Sequence, residues 1–434
     1  MTVDRARRRV YNPAVRGWKL APGAIRGPGG IVVRTEPVRI NGDLTRPLCA
    51  SRGEYSLIPG SCLKAEISAS AVRHNLAQLR SLLSAGAKLC AVVKADCYGH
   101  GLKTLLQTIA EQADCLGVTT PAEALYVRLL GYEGEVLTFF PACSCGNGGE
   151  MRDALGELVA GNVTLTVTSA DEVPAIAAAA SAVGSKARVH VKIDTGMGRS
   201  GVPAERAAGL VCRVRECDSI LLSGLYTHFA TADEDDKSFA RRQLGLFLRT
   251  VDACGGREGL CLHAANSAAT IDLPEAHLDM VRPGIAVYGY QPSDDMHSRL
   301  PLRPAMRLTA TLMQIKEVPA GSRCGYGLTH TFDRPSRIGL VPIGYADGYL
   351  RDLSNAAAVR VAGAEAPVRG RVSMDQTIVD LTDIPQARVG DEVEIISPDP
   401  AAPHSVEGLA RAAGTIPYEI TCRLGHRVRR VLVD

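Results

Sequence analysis

The stretch "AVVKADCYGHG", residues 91–101, runs through apolar residues into Lys94, and an aspartate, a cysteine, a tyrosine, a histidine and two glycines follow at once. A lysine at the end of an apolar strand is partly desolvated, which favours the neutral amine. A neutral amine is a nucleophile able to form a Schiff base with a carbonyl compound. Read alone, a lysine at a strand terminus is more often a surface residue. The residues after it change the reading. Tyr98, with Gly99 and Gly101, makes a tight turn into the helical pattern "GLKTLLQTIAEQA". A hydroxyl, backbone N–H groups and a helix start form an anion site suited to phosphate. An imine-forming amine beside a phosphate cradle is the arrangement that pyridoxal 5'-phosphate requires.

Such a constellation needs a scaffold that carries many strand ends to one place. The chain from residue 88 alternates strand and helix patterns. Strands are expected at "KLCAVVKA", "CLGVTT", "EVLTFF", "VTLTVTS", "ARVHVKIDTG", "ILLSGLYTHF", "LCLHAANS" and "MVRPGIAVYGY", with helical patterns between most of them. About eight repeats of this kind fit a closed (β/α)8 barrel, whose active site lies at the C-terminal ends of its strands. The competitor is an open doubly wound sheet, and no glycine-rich dinucleotide loop supports it. Ahead of this run, alternation at Leu63, Ala65 and Ile67 predicts a strand. Ser68 or Ser70 then caps a helix with apolar positions at Val72, Leu76, Leu79 and Leu83. After about residue 298 the pattern becomes strands separated by turns, as in "RPAMRLTATLMQIKEV" and "SRIGLVPIGYADGY", with one short helix at "SVEGLARAAG". The expected fold class is α/β plus β. Residues 61–298 would form the TIM-like barrel and residues 299–434 a mainly-β domain.

Composition narrows the function classes. The chain has 434 residues, 46% of them apolar and 4% aromatic, enough for two cores built on Ala, Val, Leu and Ile. The net charge is +3, yet residues 1–60 carry ten Arg and one Lys against four acids. With no aromatic interleaving, that segment reads as a basic, poorly ordered extension, and no nucleic-acid partner is expected. It lacks the apolar core of a secretory signal. No apolar run approaches the length of a membrane span, so no membrane partner is expected either, and cytoplasmic residence is the default. The 13 cysteines contain no C-x-x-C pair, and Cys90, Cys115 and Cys261 sit in apolar runs. They read as small core residues in a reducing compartment, with no structural metal or disulfide framework.

In "AVVKADCYGHG" the chain resembles the cofactor-binding motif of the alanine racemase family, fold-type III pyridoxal-phosphate enzymes. The resemblance continues in order through "VKIDTGMGRSG", "THFATAD", "HAANSAAT", "VRPGIAVYG", "CGYGLTHTF", "IGYADGY", "GRVSMDQ" and "PYEITCR", and covers residues 63–434. It implies barrel plus β domain, a homodimer with shared active sites, and L-alanine/D-alanine interconversion that supplies peptidoglycan precursor. It implies two catalytic bases: Lys94, which also carries the cofactor, and Tyr326, which comes from the partner subunit to the opposite face. Removing a proton from one face of a carbon and returning it to the other requires two such groups. Tyr98, Ser267, the Gly284 and Ile285 amides and Tyr418 match the family's phosphate contacts. Arg282 matches the arginine facing the ring nitrogen. His228 matches the histidine beside the ring, where its role is functional or only orienting. Arg199, Met374 and Asp375 match the substrate-carboxylate side. Lys192 matches a lysine carbamylated in many members; an unmodified Lys192 paired with Asp194 or another acid remains the alternative. Tyr326, Tyr418, Tyr345 and Ile416 match a narrow gate that favours alanine over serine.

Departures are few. "GHRVRR" stands where the family has a Ser-Tyr-Arg-Val-Pro-Arg pattern, and Asp96 and Cys97 stand where it often has Asn and Ala. Residues 1–60 have no counterpart in the family pattern. Two other readings stay open at this point: a racemase of broader or serine specificity, and a non-catalytic pyridoxal-phosphate carrier on the same barrel. The carrier would lack the β domain and with it Tyr326. A fold-type III decarboxylase would carry a cysteine-aspartate pattern in the β domain, and Cys324 is not in that context.

Overall fold

The computed structural model describes residues 62–144 and 148–434, and ahead of them four two-residue strands forming two small antiparallel ladders: Ile25–Arg26 with Val32–Val33, and Arg39–Ile40 with Asp43–Leu44. The expected basic extension, residues 1–60, otherwise lies outside the described residues.

Eight parallel strands form the barrel: Lys88–Val92, Cys115–Val118, Glu135–Pro141, Val163–Val167, Ala187–Asp194, Ile220–Tyr226, Cys261–His263 and Met280–Val281. The first seven pair each with the next in sequence, and Met280–Val281 pairs with Lys88–Val92. The seam between the last two strands is bridged where the Asp279 N–H donates to the Leu262 carbonyl at 3.0 Å and the Arg282 N–H to the Ala265 carbonyl at 2.9 Å. The strands are short, branched and apolar, as strands buried on both faces are. Leu116, Val136, Leu165, Val189 and Leu225 are fully inaccessible. The helices between them start where side chains cap them. Thr120 and Glu123 form a capping box ahead of Pro121–Leu129, with proline in the first turn. Asn266 caps Ser267–Asp272 through the Ala269 N–H.

The second domain holds a six-stranded sheet, a three-stranded sheet and a small ladder. The six-stranded sheet corrects the expected boundary at residue 61. The strand Leu63–Ser68 is not part of the barrel. It lies between Met306–Thr311, antiparallel, and the C-terminal Arg429–Val433, parallel. Its alternation of buried and half-buried residues belongs to a sheet with one wetter face, unlike the barrel strands. Ser68 then caps the helix Ala69–Ser81 through the Ala71 N–H, and that helix buries Val72, Leu76 and Leu79 against the barrel side. Leu63–Ser68 is therefore the neighbour of the last strand, so the second domain draws on chain from before and after the barrel.

Candidate active site

One feature decides where Lys94 and Tyr98 stand. The four residues after Lys94 are all left-handed: Ala95, Asp96, Cys97 and Tyr98 have φ of 51, 55, 54 and 53°. The turn is closed by Cys97 N–H to Val93 O at 3.0 Å and Gly99 N–H to Ala95 O at 2.9 Å. Left-handed helical backbone costs L-residues about 1–2 kcal/mol each. A run of four persists only where surrounding contacts over-determine it. Those contacts are visible. The Ala95 N–H donates to Glu123 Oε1 at 2.8 Å. Asp96 Oδ1 accepts from the Leu102 N–H at 2.6 Å. The His100 ring Nδ1 lies 3.0 and 3.1 Å from the Cys97 and Tyr98 carbonyls, so it carries the proton. Gly99 (φ +83°) approaches the helix Pro417–Cys422 so closely that a Cβ there would fall on the Thr421 carbonyl. This is the approach that brings Tyr418 to Tyr98, with ring centroids 6.1 Å apart.

Around that turn the strand ends assemble the other residues. Lys94 is half-buried, and burial, followed by the Arg199 charge, lowers its pKa; Cys422 and Glu123 oppose the shift, and Arg282 adds to it. Lys192, near the end of Ala187–Asp194, is pulled down to about 8 by burial and then by Arg199 and Arg282. Asp194 does not form an ion pair with it. The Asp194 carboxylate accepts the Gly196 and Gly198 N–H groups of the "DTGMG" turn. Arg199 itself is exposed at the rim.

Arg282 is buried and held through its two terminal nitrogens. Its guanidinium donates to His263 Nδ1 at 2.7 Å, to the Thr227 carbonyl at 2.8 Å and to the Ala264 carbonyl at 3.0 Å, with His228 Nδ1 at 3.3 Å. A guanidinium only donates, so His263 must accept at Nδ1. Its Nε2 then donates to His190 Nδ1, 2.9 Å away. His228 accepts in the same way. All three imidazoles are held neutral, chiefly by burial; His190 lies at about 3 and the other two well below 6.5. The Tyr226 ring stacks on His263 at 4.7 Å and also lies 5.3 Å from the Arg282 guanidinium carbon.

On the other side of the mouth Ser267 Oγ accepts the Gly284 N–H at 2.8 Å and the Ala286 N–H at 3.4 Å. The Tyr98 hydroxyl packs onto Gly284 so tightly that a Cβ would collide with it. Tyr288 donates to the Val92 carbonyl and stacks near Tyr98, centroids 5.3 Å apart. The loop from Thr227 to Lys237 is fixed to the helix that begins at Ser267 by an inaccessible ion pair, Lys237 to Asp272 at 3.1 Å.

Lys94, Tyr98, Lys192, Arg199, His228, Ser267, Arg282, Gly284, Ile285 and Tyr418 thus share one mouth. Tyr326, Met374 and Asp375 do not join it within this chain. Tyr326 is 71% exposed and Met374 53%. Asp375 is engaged by Arg427, which also holds Asp347. Among the described residues no hydrogen bond or ion pair links these three to the Lys94 group. Nothing local in the sequence marks His190, His263, Glu123 or the Lys237–Asp272 pair, since each gains its meaning from a partner far along the chain.

The family model for the alanine racemase N-terminal domain matches residues 67–292, and that for the C-terminal domain matches residues 305–432. The chain belongs to the alanine racemase family. An alanine racemase of Desulfovibrio desulfuricans is 43% identical over 375 residues, which is 85% of this chain and 98% of that protein. One of Methanococcus maripaludis is 37% identical over 85% of this chain and 97% of its own length. Among solved structures, the alanine racemase of Streptomyces coelicolor superposes with a TM-score of 0.78 at 39% identity, covering 86% of this chain and 98% of that one. The family match begins where the second-domain strand ends, so the alanine racemase architecture accounts for the barrel mouth and the β domain but not for residues 1–60.

Proposed function

We propose that this chain interconverts L- and D-alanine with pyridoxal 5'-phosphate, as a homodimer in which the partner subunit's Tyr326 completes each site. The observation that carries this reading is the left-handed turn. It sets an amine of lowered pKa and a buried phenol beside a cradle of neutral donors. The residues present suit the cofactor. Tyr98, Ser267, Tyr418 and the amides of Gly284 and Ile285 would hold its phosphate, and Arg282 would face its ring nitrogen. None of the Arg282 contacts described above uses its Nε–H. When bound, the cofactor supplies an electrophilic carbonyl and a ring that takes up the charge left when the substrate Cα loses its proton.

The chain's own residues do the rest. Lys94 Nζ accepts the Cα proton on one face, and its lowered pKa makes the neutral amine available below the usual lysine range. The Tyr326 hydroxyl from the partner returns a proton on the other face. The exposed Tyr326, Leu328, Tyr345, Met374 and Ile416 fit a surface that a second copy covers. Arg199 would receive the substrate carboxylate together with the Met374 amide, which, with Asp375 adjacent, would come from the second copy as Tyr326 does. Arg282 keeps its proton at any working pH and would donate to the ring nitrogen, which would limit the charge the ring takes up and restrain side reactions. The product would feed peptidoglycan synthesis.

The test is Tyr326→Phe, assayed by loss of optical rotation from L-alanine with L-serine alongside. Turnover should fall about 10²–10⁴-fold while cofactor remains bound, as expected when one general acid–base group is removed. Undiminished racemisation would refute the two-base role, and a native chain that binds cofactor but racemises neither amino acid would support a carrier.

A further inference from the structure

We infer that Glu123 is a positioning residue for Lys94, acting through the left-handed turn and through its charge. The Glu123 carboxylate joins two elements: Oε1 accepts the Ala95 N–H at 2.8 Å, while Oε2 accepts the Thr119 N–H at 2.8 Å and the Thr120 N–H at 3.0 Å. The first of these is the amide of the residue after Lys94. The other two follow directly on the neighbouring barrel strand, Thr120 being the cap of the helix Pro121–Leu129. One side chain therefore ties the start of the left-handed run to the strand Cys115–Val118.

The Ala95 amide needs that acceptor. In a right-handed helix the first N–H groups are satisfied by a cap residue on their own chain. Here Val93, in the capping position, offers no side-chain acceptor, and the backbone beyond it is left-handed. The external carboxylate takes the cap's place. Without it the turn loses the contact at the point where the Lys94 side chain departs, and the spacing between Lys94 and Tyr98 is no longer fixed.

Charge is the second effect. The groups that act on Lys94 come from four directions: Arg199 and Arg282 disfavour its cation, and Cys422 and Glu123 favour it. Glu123 is the carboxylate among them. It moderates how far the amine is pushed down.

A purely structural role is the competing account, because Glu123 also completes the capping box with Thr120, whose Oγ1 accepts the Glu123 N–H at 3.2 Å. The two roles separate by mutation. Glu123→Gln keeps the size, removes the charge and leaves one acceptor oxygen in place of two; Glu123→Ala removes all of these. Thr120→Ala breaks the capping box from its other side and leaves the Ala95 contact in place. The measurement is trace acetylation of Lys94 in the full chain freed of cofactor, with acetic anhydride across pH and the Lys94 peptide read by mass spectrometry. Glu123→Gln should move the reactivity midpoint to lower pH, with roughly threefold more neutral amine at pH 7. Thr120→Ala should leave the midpoint where it is while lowering the melting temperature, though by less than Glu123→Ala, which also loses the Ala95, Thr119 and Thr120 N–H contacts. In the cofactor-bound protein, Glu123→Ala should speed release of pyridoxal 5'-phosphate about tenfold or more, the scale of one charge-assisted hydrogen bond.

An unshifted or raised midpoint in Glu123→Gln overturns the inference. So does a Thr120→Ala protein that behaves like Glu123→Ala at Lys94. The second readout rests on the proposed cofactor; the first does not. A native chain that binds no pyridoxal 5'-phosphate would defeat the proposed function and leave the amine midpoint to decide this point alone.

Discussion

Lys192 shows how burial turns an ordinary side chain into a chemical variable. With a pKa near 8, set by burial and then by Arg199 and Arg282, it holds a substantial neutral fraction at mildly alkaline pH. Only the neutral amine adds carbon dioxide. We therefore propose that Lys192 is carbamylated, and native mass spectrometry at pH 8.5 with added bicarbonate should show one carbamate per chain that acid releases. The added mass should vanish in Lys192→Ala, and a native chain without it would leave Lys192 unmodified. A carbamate there would place an anion among Arg199, Arg282 and the Lys94 amine, where the nearest acid, Asp194, is already taken by the Gly196 and Gly198 amides. At this scale the sequence is informative about residues whose neighbours in the chain explain them. Lys94, Tyr98 and the "DTGMGR" arginine carry their context with them. His263 does not. It lies in the quoted "HAANSAAT", yet its partners are Arg282, 19 residues on, and His190, 73 residues back, and only the fold joins them.

At the scale of elements, the strands and helices are set by local composition, and the expected series of eight strands is the series observed. What local composition does not carry is handedness or partnership. Ala95, Asp96, Cys97 and Tyr98 are not residues that choose left-handed backbone unaided. They are forced into it by Glu123, His100 and the close approach at Gly99. The strand Leu63–Ser68 is likewise plain as a strand, but nothing in its six residues says that it pairs with the chain's last strand rather than with the barrel. The same contacts predict the effect of Gly99→Ala. A Cβ there meets the Thr421 carbonyl at a positive φ, so either the turn or the helix Pro417–Cys422 must move. The positive φ alone costs about 1 kcal/mol, and the backbone collision adds to it. Thermal unfolding should drop by several degrees. Cofactor affinity should drop as well, because the displaced helix carries Tyr418. Gly86→Ala, at a positive φ with open space around it, is the control: it should lower stability modestly and leave cofactor affinity unchanged.

Across the whole molecule the buried histidines set a limit on the pH range. His100, His190, His228 and His263 are all neutral inside the folded protein, held at about 4, about 3 and, for the last two, well below 6.5, with burial the leading cause each time. In the unfolded chain each would titrate near 6.5. Below that value the unfolded state binds protons that the folded state cannot, so stability is complete above pH 6.5 and is lost as pH falls toward the folded values. Each histidine contributes about 1.4 kcal/mol per pH unit once the pH is well below 6.5 and still above its folded value. Carboxylates whose pKa is lowered by folding, such as Asp380 and Glu394, add to the loss only nearer pH 4. The raised Asp347 and Glu407 work in the opposite direction, above about pH 4 and not below it, and so offset part of the histidine loss. Between pH 6.5 and 5 the histidines therefore dominate. With a net stability of about 5–15 kcal/mol typical of folded proteins, four such groups suffice to unfold the chain within a few pH units. Urea midpoints measured from pH 8 to pH 5 should be flat down to about 6.5 and then fall steeply, with an uptake approaching four protons per chain on unfolding. His100→Asn, outside the Arg282 network, should make that slope shallower by about one proton; an unchanged slope would mean that His100 is already protonated in the folded state. The three remaining histidines lie in the hydrogen-bonded cluster around Arg282, so the arrangement that keeps Arg282 in place also makes the fold sensitive to acid.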